Sequence, residues 1–348
     1  MTRRVIKLKF SNGLHFATCA QELLRVVADS YEFVDSDSPD FIIFMPDGSP
    51  LPPRSGNYVT IGWFIENNVP DLSLCDWTFG IHDEVRINDP RYLRMPWRGF
   101  ACTPADLVKG TVDVEAVLKG KSGFCNYLFS SETAYRQRLF RELSTYKRID
   151  SPARSMNNMP PIDQGFSTQE LWAPEVWHAK RSFQRRYKFS IACENYSYPG
   201  YDSEKLVDAM LANTVPIYFG NPDIGRHFNT ASFINGHDYI QPRLRWVADC
   251  LEECSQYHMA LKAGIRIPGR VTNRIKAWSR EVRMALLTAD FRDLIARVIE
   301  VDNDDSLYAD YLQQPWYPAN RPPSETALAE RWHLIFSGRR QERPAAAP

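Results

Sequence analysis

The chain has 348 residues, more than one hydrophobic core usually supports, and this length predicts two domains. It carries 42 basic and 42 acidic residues, so the bulk chain lacks the positive charge expected of a nucleic-acid-binding protein. No apolar run is long enough to span a bilayer, and the first residues, MTRRVIKLKF, lack the apolar segment of a signal peptide. Seven scattered cysteines, an odd number, favour reduced thiols over a disulfide framework. These features predict a cytoplasmic protein.

The N-terminal part of the chain alternates strand and helix patterns. A helix is predicted over 19–31, and strands are predicted over 5–10, 41–45, 58–65 and 77–81. Strands that alternate with helices are typical of a parallel, doubly wound sheet. The pattern ends in the proline-containing stretch 89–120, which places a domain boundary near residue 119 and predicts an N-terminal domain over 1–118.

A second α/β pattern follows. Strands are predicted over 124–130, 188–193 and 215–219, with helices over 131–146, from Asp202 or Ser203 to Asn213, over 242–263 and over 273–299. This pattern predicts a C-terminal domain over 119–314. A proline-rich segment and a tail occupy 315–348.

The stretch 187–222 carries most of the functional information. It has the pattern of a βαβ unit, and polar groups crowd the predicted N-terminus of its helix, where Lys205 adds a positive charge. Free backbone N–H groups and the helix dipole make such an end suitable for a phosphate. The pattern by itself favours an ordinary capped helix over a phosphate site, but the loop 194–201 has more hydrogen-bonding and stacking groups than a connector needs.

The motifs in this stretch resemble a known family. The order E-N-x5-Y-x2-E-K, then V-P-I-Y-F-G-N-P, then F-N and S-F-I-N is similar to the α-1,3-fucosyltransferase motif of glycosyltransferase family ten. The resemblance implies a GT-B-like α/β fold of two facing Rossmann-like domains with a cleft between them. The N-terminal domain would bind the acceptor and the C-terminal domain GDP-fucose. It also implies an inverting transfer of L-fucose to an N-acetylglucosamine-containing glycan, such as lipopolysaccharide or another surface glycan.

The resemblance implies that Glu66 is the general base. Glu66 and Asn67 follow the third predicted strand, at the sheet edge where open α/β proteins bind ligands. A carboxylate can act as a base near neutral pH if partial burial raises its pKa. Ile65 stands where the family often has glycine. This difference affects the expected geometry of acceptor binding and leaves the assignment of the base unchanged. Without the family, Glu66 would be an ordinary exposed residue at a strand end as readily as a base.

The resemblance also implies a donor site without a metal or other cofactor. Arg154, in a segment similar to V-D-S-x-G-R-x-x-N-N, would hold the donor diphosphate with its planar fork, with Ala153 in place of the usual glycine. Lys205 would contact phosphate, and Glu204 sugar hydroxyls. Further donor contacts are expected from Asn195 and Tyr201, and a supporting role from Glu194 and Asn67.

Two alternative functions stay open. The chain could use another nucleotide sugar or another acceptor, or it could be a catalytically silent sugar-binding homologue.

The tail has apolar residues at helical spacing followed by two arginines. This pattern is compatible with peripheral contact with the inner membrane and with docking on the protein itself, and we favour docking. These residues are Leu328, Trp332, Ile335, Phe336, Arg339 and Arg340.

Overall fold

The computed structural model describes residues 3–46, 50–53, 56–66, 69–99, 102–162, 174–256 and 269–338. The chain divides into two compact units, one of Met1–Trp97 with Ser324–Pro348 and the other of Arg98–Pro323. This division differs from the predicted boundary near residue 119. Cys102 and Leu107 pack in the same apolar cluster as Leu206, which joins the segment before residue 119 to the second unit.

The described residues contain eleven strands and eleven α-helices. The strands β1 to β11 are Arg4–Ser11, Tyr31–Asp35, Phe41–Phe44, Val59–Phe64, Trp77–Gly80, Tyr92–Arg94, Gly123–Tyr127, Ile149–Asp150, Tyr187–Ile191, Val215–Tyr218 and Ile234–Asn235. The helices α1 to α11 are Phe16–Leu24, Glu84–Ile87, Val114–Lys119, Ala134–Ser144, Pro174–Gln184, Glu204–Leu211, Arg245–Gln256, Gly269–Leu287, Arg292–Asn303, Asp305–Gln313 and Thr326–Phe336.

The first unit is built on a six-stranded parallel sheet in the order β2-β1-β3-β4-β5-β6. Every residue of β3, β4 and β5 is buried, as expected for central strands of a parallel sheet covered on both faces. The predicted central strands are confirmed. The edge strands β2 and β6 were not predicted, because β2 is short and largely polar or exposed and β6 lies in the proline-containing stretch.

The second unit is built on a five-stranded parallel sheet in the order β11-β10-β9-β7-β8. Its predicted strands are confirmed. The single helix predicted over 273–299 is wrong, since α8 ends at Leu287 and α9 begins at Arg292. Between them the Asp290 carboxylate accepts hydrogen bonds from the backbone N–H and side chain of Arg292, and this local bonding competes with a continuous helix.

The C-terminal helix α11 returns to the first unit. Trp332, Ile335 and Phe336 are completely buried. The Trp332 ring lies 4.7 Å from the Phe79 ring, and the Phe336 ring lies 5.1 Å from the Phe41 ring, measured between centroids. The prediction that this apolar face docks on the protein itself is therefore confirmed. Arg339 and Arg340 lie outside the described residues.

Candidate active site

The predicted donor residues lie beyond the carboxyl ends of the strands in the second sheet. From β7 the chain adds β8 on one side, and it adds β9, β10 and β11 on the other. The connections therefore leave the sheet in opposite directions at β7 and β9, and such switch points form the ligand crevices of open α/β sheets. The β7 loop contains Ser131, and the β9 loop contains Asn195.

The loop after β9 is organised by the buried carboxylate of Glu194. One of its oxygens accepts hydrogen bonds from the backbone N–H of Ser203 at 2.8 Å and from the Ser203 hydroxyl at 2.9 Å. The Lys205 ammonium lies 3.2 Å from the other oxygen. Burial raises the pKa of the Glu194 carboxyl, while Lys205 and the hydrogen bonds from Ser203 limit the rise. Glu194 therefore links the end of β9 to the first turn of α6.

The role of Ser203 differs from the predicted one. Ser203 occupies the N-cap position of α6, but its side chain makes no capping hydrogen bond. Its hydroxyl is bonded to Glu194 instead, and it accepts a hydrogen bond of 2.9 Å from Lys205. The cap predicted from a serine before an apolar helix is wrong here, because the Ser203 hydroxyl accepts from Lys205 and donates to the Glu194 carboxylate instead of accepting from the helix backbone. The predicted end of the helix at Asn213 is confirmed, since this residue has a left-handed φ of 50°.

Glu204 and Lys205 carry opposite charges in the first turn of α6. Their charged atoms lie 3.5 Å apart, and Lys180 of α5 lies 3.9 Å from Glu204. Burial acts to raise the pKa of Glu204, but Lys205 and Lys180 outweigh it and hold this pKa below its usual range. Burial acts to lower the pKa of Lys205, but Glu194 and Glu204 outweigh it and raise this pKa above its usual range. Both side chains are therefore charged near neutral pH.

Asn195 and Arg154 are both hydrogen-bonded to the loop that follows β7. The Ser131 hydroxyl donates a hydrogen bond of 3.5 Å to the Asn195 side-chain oxygen. The Arg154 Nε donates a hydrogen bond of 3.0 Å to the carbonyl of Ser130. Arg154 is exposed to solvent, whereas Asn195 is half-buried. The loops after β7, β8 and β9 therefore present these predicted donor residues at one edge of the sheet.

Tyr201 completes the predicted donor set. It is buried, and its backbone N–H donates a hydrogen bond of 3.0 Å to the carbonyl of Tyr198. It lies close enough to the Lys205 ammonium to contribute to the raised pKa of that lysine, after the larger effects of Glu194 and Glu204. The structure thus brings Tyr201, Glu204 and Lys205 together, with Glu194 beneath them.

The structure adds residues that the sequence pattern did not identify. The Arg98 guanidinium lies 2.9 Å from the Asp202 carboxylate, and the side-chain oxygen of buried Asn221 accepts a hydrogen bond of 3.0 Å from the backbone of Gly200. The Tyr135 hydroxyl donates to the carbonyl of Glu194. These partners are far apart in sequence, so no local pattern signals the contacts. Only Asn221, in the V-P-I-Y-F-G-N-P motif, belongs to a recognisable sequence signal.

The predicted base Glu66 lies in the first unit, two residues after β4 ends at Phe64. It is exposed, which differs from the partial burial expected to raise its pKa. Its neighbour Asn67 lies outside the described residues. Asp76 has a packing role in this unit, because its buried carboxylate accepts hydrogen bonds of 2.8 and 2.9 Å from the backbone and hydroxyl of Thr60.

Within the described ranges, no group of three or more His, Cys, Asp and Glu side chains is arranged to hold a metal ion. All seven cysteines are unpaired, and five of them are buried. None of the described helices has the length and apolar character required to cross a membrane.

Comparison with known proteins relates this chain to one family. Residues 119–260 match the family model described as glycosyltransferase family 10 (fucosyltransferase) C-term. Alpha-(1,3)-fucosyltransferase FucT of Helicobacter pylori is 29% identical over 195 residues, which are 50% of this chain and 40% of that protein. Alpha-(1,3)-fucosyltransferase B of Drosophila melanogaster is 34% identical over 111 residues, which are 31% of this chain and 24% of that protein. The chain thus spans less than half the length of either relative.

Solved structures support the fold along nearly the whole chain. A crystal structure of an α1,3-fucosyltransferase matches with a TM-score of 0.62 and 17% identity, and covers 97% of this chain and 91% of its own. The crystal structure of α1,3-fucosyltransferase with GDP-fucose matches over the same shares, with a TM-score of 0.58 and 16% identity. At these identities the likeness establishes the fold. Together with the two parallel sheets, it confirms the predicted GT-B-like α/β class.

Proposed function

Residues 119–260 match the model of glycosyltransferase family 10, and we propose on this basis that the chain is a member of that family and an inverting α-1,3-fucosyltransferase. Its donor is GDP-fucose, and its acceptor is an N-acetylglucosamine-containing glycan of lipopolysaccharide or another surface glycan. We propose that the reaction takes place in the cytoplasm, and the unpaired cysteines support this because they favour a reducing compartment.

The observation that carries this proposal is the charged cluster at the start of α6. Lys205 is held between the carboxylates of Glu194 and Glu204, which lie 3.2 and 3.5 Å from its ammonium. The cluster places a fixed cation beside the N-terminus of an eight-residue helix. Both features favour the negative charge of a diphosphate. Glu204 can accept hydrogen bonds from vicinal hydroxyls of a sugar, as carboxylates do in nucleotide sites.

The proposed reaction is a single displacement at the anomeric carbon. Glu66 takes the proton of the acceptor hydroxyl while its oxygen forms the new glycosidic bond and the bond to GDP breaks. Positive charge develops on the sugar, as at other glycosyl centres, and negative charge develops on the departing diphosphate. Arg154 and Lys205 stabilise this negative charge more strongly as the bond breaks, which lowers the barrier. Asn195 and Tyr201 position the donor.

Product analysis tests the proposed reaction directly. The purified full chain is incubated with GDP-fucose and a panel of galactose and N-acetylglucosamine acceptors, and the products are analysed by mass spectrometry and linkage analysis. We expect an α-1,3-fucosylated N-acetylglucosamine product. Since the proposed mechanism uses cationic side chains rather than a metal, turnover should persist after treatment with EDTA. Transfer from another nucleotide sugar, or failure to transfer or hydrolyse any donor, would overturn the proposal.

A further inference from the structure

The first turn of helix α4 contains an arginine that the proposed mechanism does not use. Arg136 is completely buried, and its guanidinium lies over the Phe129 ring at 4.0 Å from the centroid. It donates hydrogen bonds to the carbonyl and hydroxyl of Ser131 at 2.8 and 3.1 Å, and to the Thr133 hydroxyl at 2.7 Å. A longer bond of 3.5 Å reaches the carbonyl of Cys193, at the end of β9. Arg136 therefore ties the loop after β7 to the loop after β9, at the switch point of the sheet.

Among the described residues, no carboxylate makes an ion pair with Arg136. Its acceptors among the described residues are carbonyl and hydroxyl oxygens, and its Nε has no hydrogen-bond partner there. The neighbouring carboxylates Glu194 and Glu204 are paired with Lys205, and Asp208 is paired with Lys180 at 2.6 Å and Arg181 at 2.8 Å. Burying an unbalanced charge is costly, and the cost falls when an anion binds nearby.

The charge of Arg136 lies near the predicted donor residues at the carboxyl edge of the second sheet. Arg136 is close enough to Lys205 to act against its protonation, so the two cations share one electrostatic environment. Ser131, which Arg136 holds through its carbonyl and hydroxyl, donates to Asn195. Arg136 thus acts on the predicted donor residues in two ways. Its charge affects them electrostatically, and its hydrogen bonds fix the position of Ser131. A charge in a low-dielectric interior acts over longer distances than a surface charge in water.

We propose that Arg136 is a positioning residue of the donor site, which favours a nucleoside diphosphate through its unbalanced buried charge and through its hold on Ser131 and Cys193. It acts beneath the site without touching the nucleotide, because its side chain has no exposed surface. This inference rests on the proposed function, since it assumes that a diphosphate binds at this edge.

The test compares neutral and charged replacements in the full chain. Binding of GDP and of guanosine is measured by calorimetry for the wild type, Arg136→Gln and Arg136→Lys. Glutamine keeps hydrogen-bonding capacity without the charge, so we expect GDP affinity to fall by about 10- to 100-fold with little change for guanosine. Lysine keeps the charge, so the preference for GDP over guanosine should be largely restored. Arg138→Gln, on the same helix and beside Glu142 at 3.4 Å, is the matched control and should bind as the wild type does.

A second variant keeps the proposal testable if Arg136→Gln does not fold. Ser131 is exposed, so Ser131→Ala should fold normally and should lower GDP affinity by about tenfold without affecting guanosine. Unchanged GDP affinity in Arg136→Gln or in Ser131→Ala would overturn the inference. An equal loss of GDP and guanosine binding would also overturn it, because a purely structural role predicts that result. If the wild type binds GDP but the variants match it, only this inference fails, whereas a wild type that binds no GDP overturns the proposed function as well.

Discussion

The ammonium of Lys205 lies 3.2 Å from the carboxylate of Glu194, eleven positions earlier in the chain and completely buried. This contact joins the carboxyl end of β9 to the first turn of α6 and leaves Lys205 itself half-buried. The lysine therefore has an internal partner that fixes its position before any ligand binds. A fixed cation requires little reorganisation when a diphosphate arrives, and such preorganisation favours both binding and catalysis.

Replacing Lys205 with alanine should weaken the diphosphate site. We expect Lys205→Ala to lower GDP affinity by about 10- to 100-fold, because a charge-assisted contact is lost. Guanosine affinity should change less, and calorimetry with both ligands measures the difference. The melting temperature should also fall, since the buried Glu194 loses its cation. Lys119→Ala, which removes an exposed lysine paired with Glu115, is the control. Equal GDP affinity in the two variants would show that Lys205 does not contact the diphosphate.

Replacing Glu66 with glutamine should separate turnover from donor binding. The amide cannot accept the acceptor's proton, so we expect the rate of transfer to fall by about 100-fold or more. GDP affinity should stay close to that of the wild type, because the proposed donor contacts belong to the second unit. Initial rates and calorimetry measure the two quantities. Glu32→Gln, on an exposed edge strand of the same sheet, is the matched control. A Glu66→Gln variant that keeps most of its rate would exclude Glu66 as the base.

Adding a methyl group at Gly220 should disturb the Glu194 contact. A Cβ at this position would lie 2.5 Å from the Cγ of Glu194 and 2.7 Å from the hydroxyl of Tyr218. We expect Gly220→Ala to lower the free energy of unfolding by about 1–3 kcal/mol and to reduce GDP affinity, as buried groups move to relieve the clash. Gly110→Ala is the control, because a Cβ there meets no described atom within 4 Å. Denaturant unfolding and calorimetry check both variants, and a Gly220→Ala protein as stable as Gly110→Ala would contradict the close packing.

Truncating Trp332 should destabilise the first unit. This side chain is completely buried between Phe79 and Phe336, with ring centroids 4.7 and 5.4 Å away. We expect Trp332→Ala to lower the free energy of unfolding by about 3–5 kcal/mol. Leu334→Ala, at a position 37% exposed on the same helix, should have a much smaller effect. Denaturant unfolding provides the comparison. Loss of binding to anionic vesicles by Trp332→Ala with unchanged stability would instead support membrane contact by this face.

Local patterns predicted the central elements well and the peripheral ones poorly. The fully buried strands β3 and β4, which are largely apolar, were recognisable because both faces of a parallel strand are buried. The edge strand β2 was missed, because its exposed polar residues resemble those of a loop. The break between α8 and α9 was missed because it depends on the side chain of Asp290 bonding to Arg292, and apolar periodicity does not register such a contact.

The sequence by itself predicted the resemblance to the family and the ordered set from Glu194 to Lys205, because these residues are neighbours in one continuous motif. Only the tertiary structure decided which charges meet. In the folded chain, Ser203 donates to Glu194 instead of capping the helix backbone, and Arg98 forms an ion pair with Asp202. Arg136 lies beneath the loops that follow β7 and β9. These contacts join residues that the chain separates, and their strength depends on burial and on the distance between charges. Burial and the distances between these charges are set only when the strands of the sheet have come together.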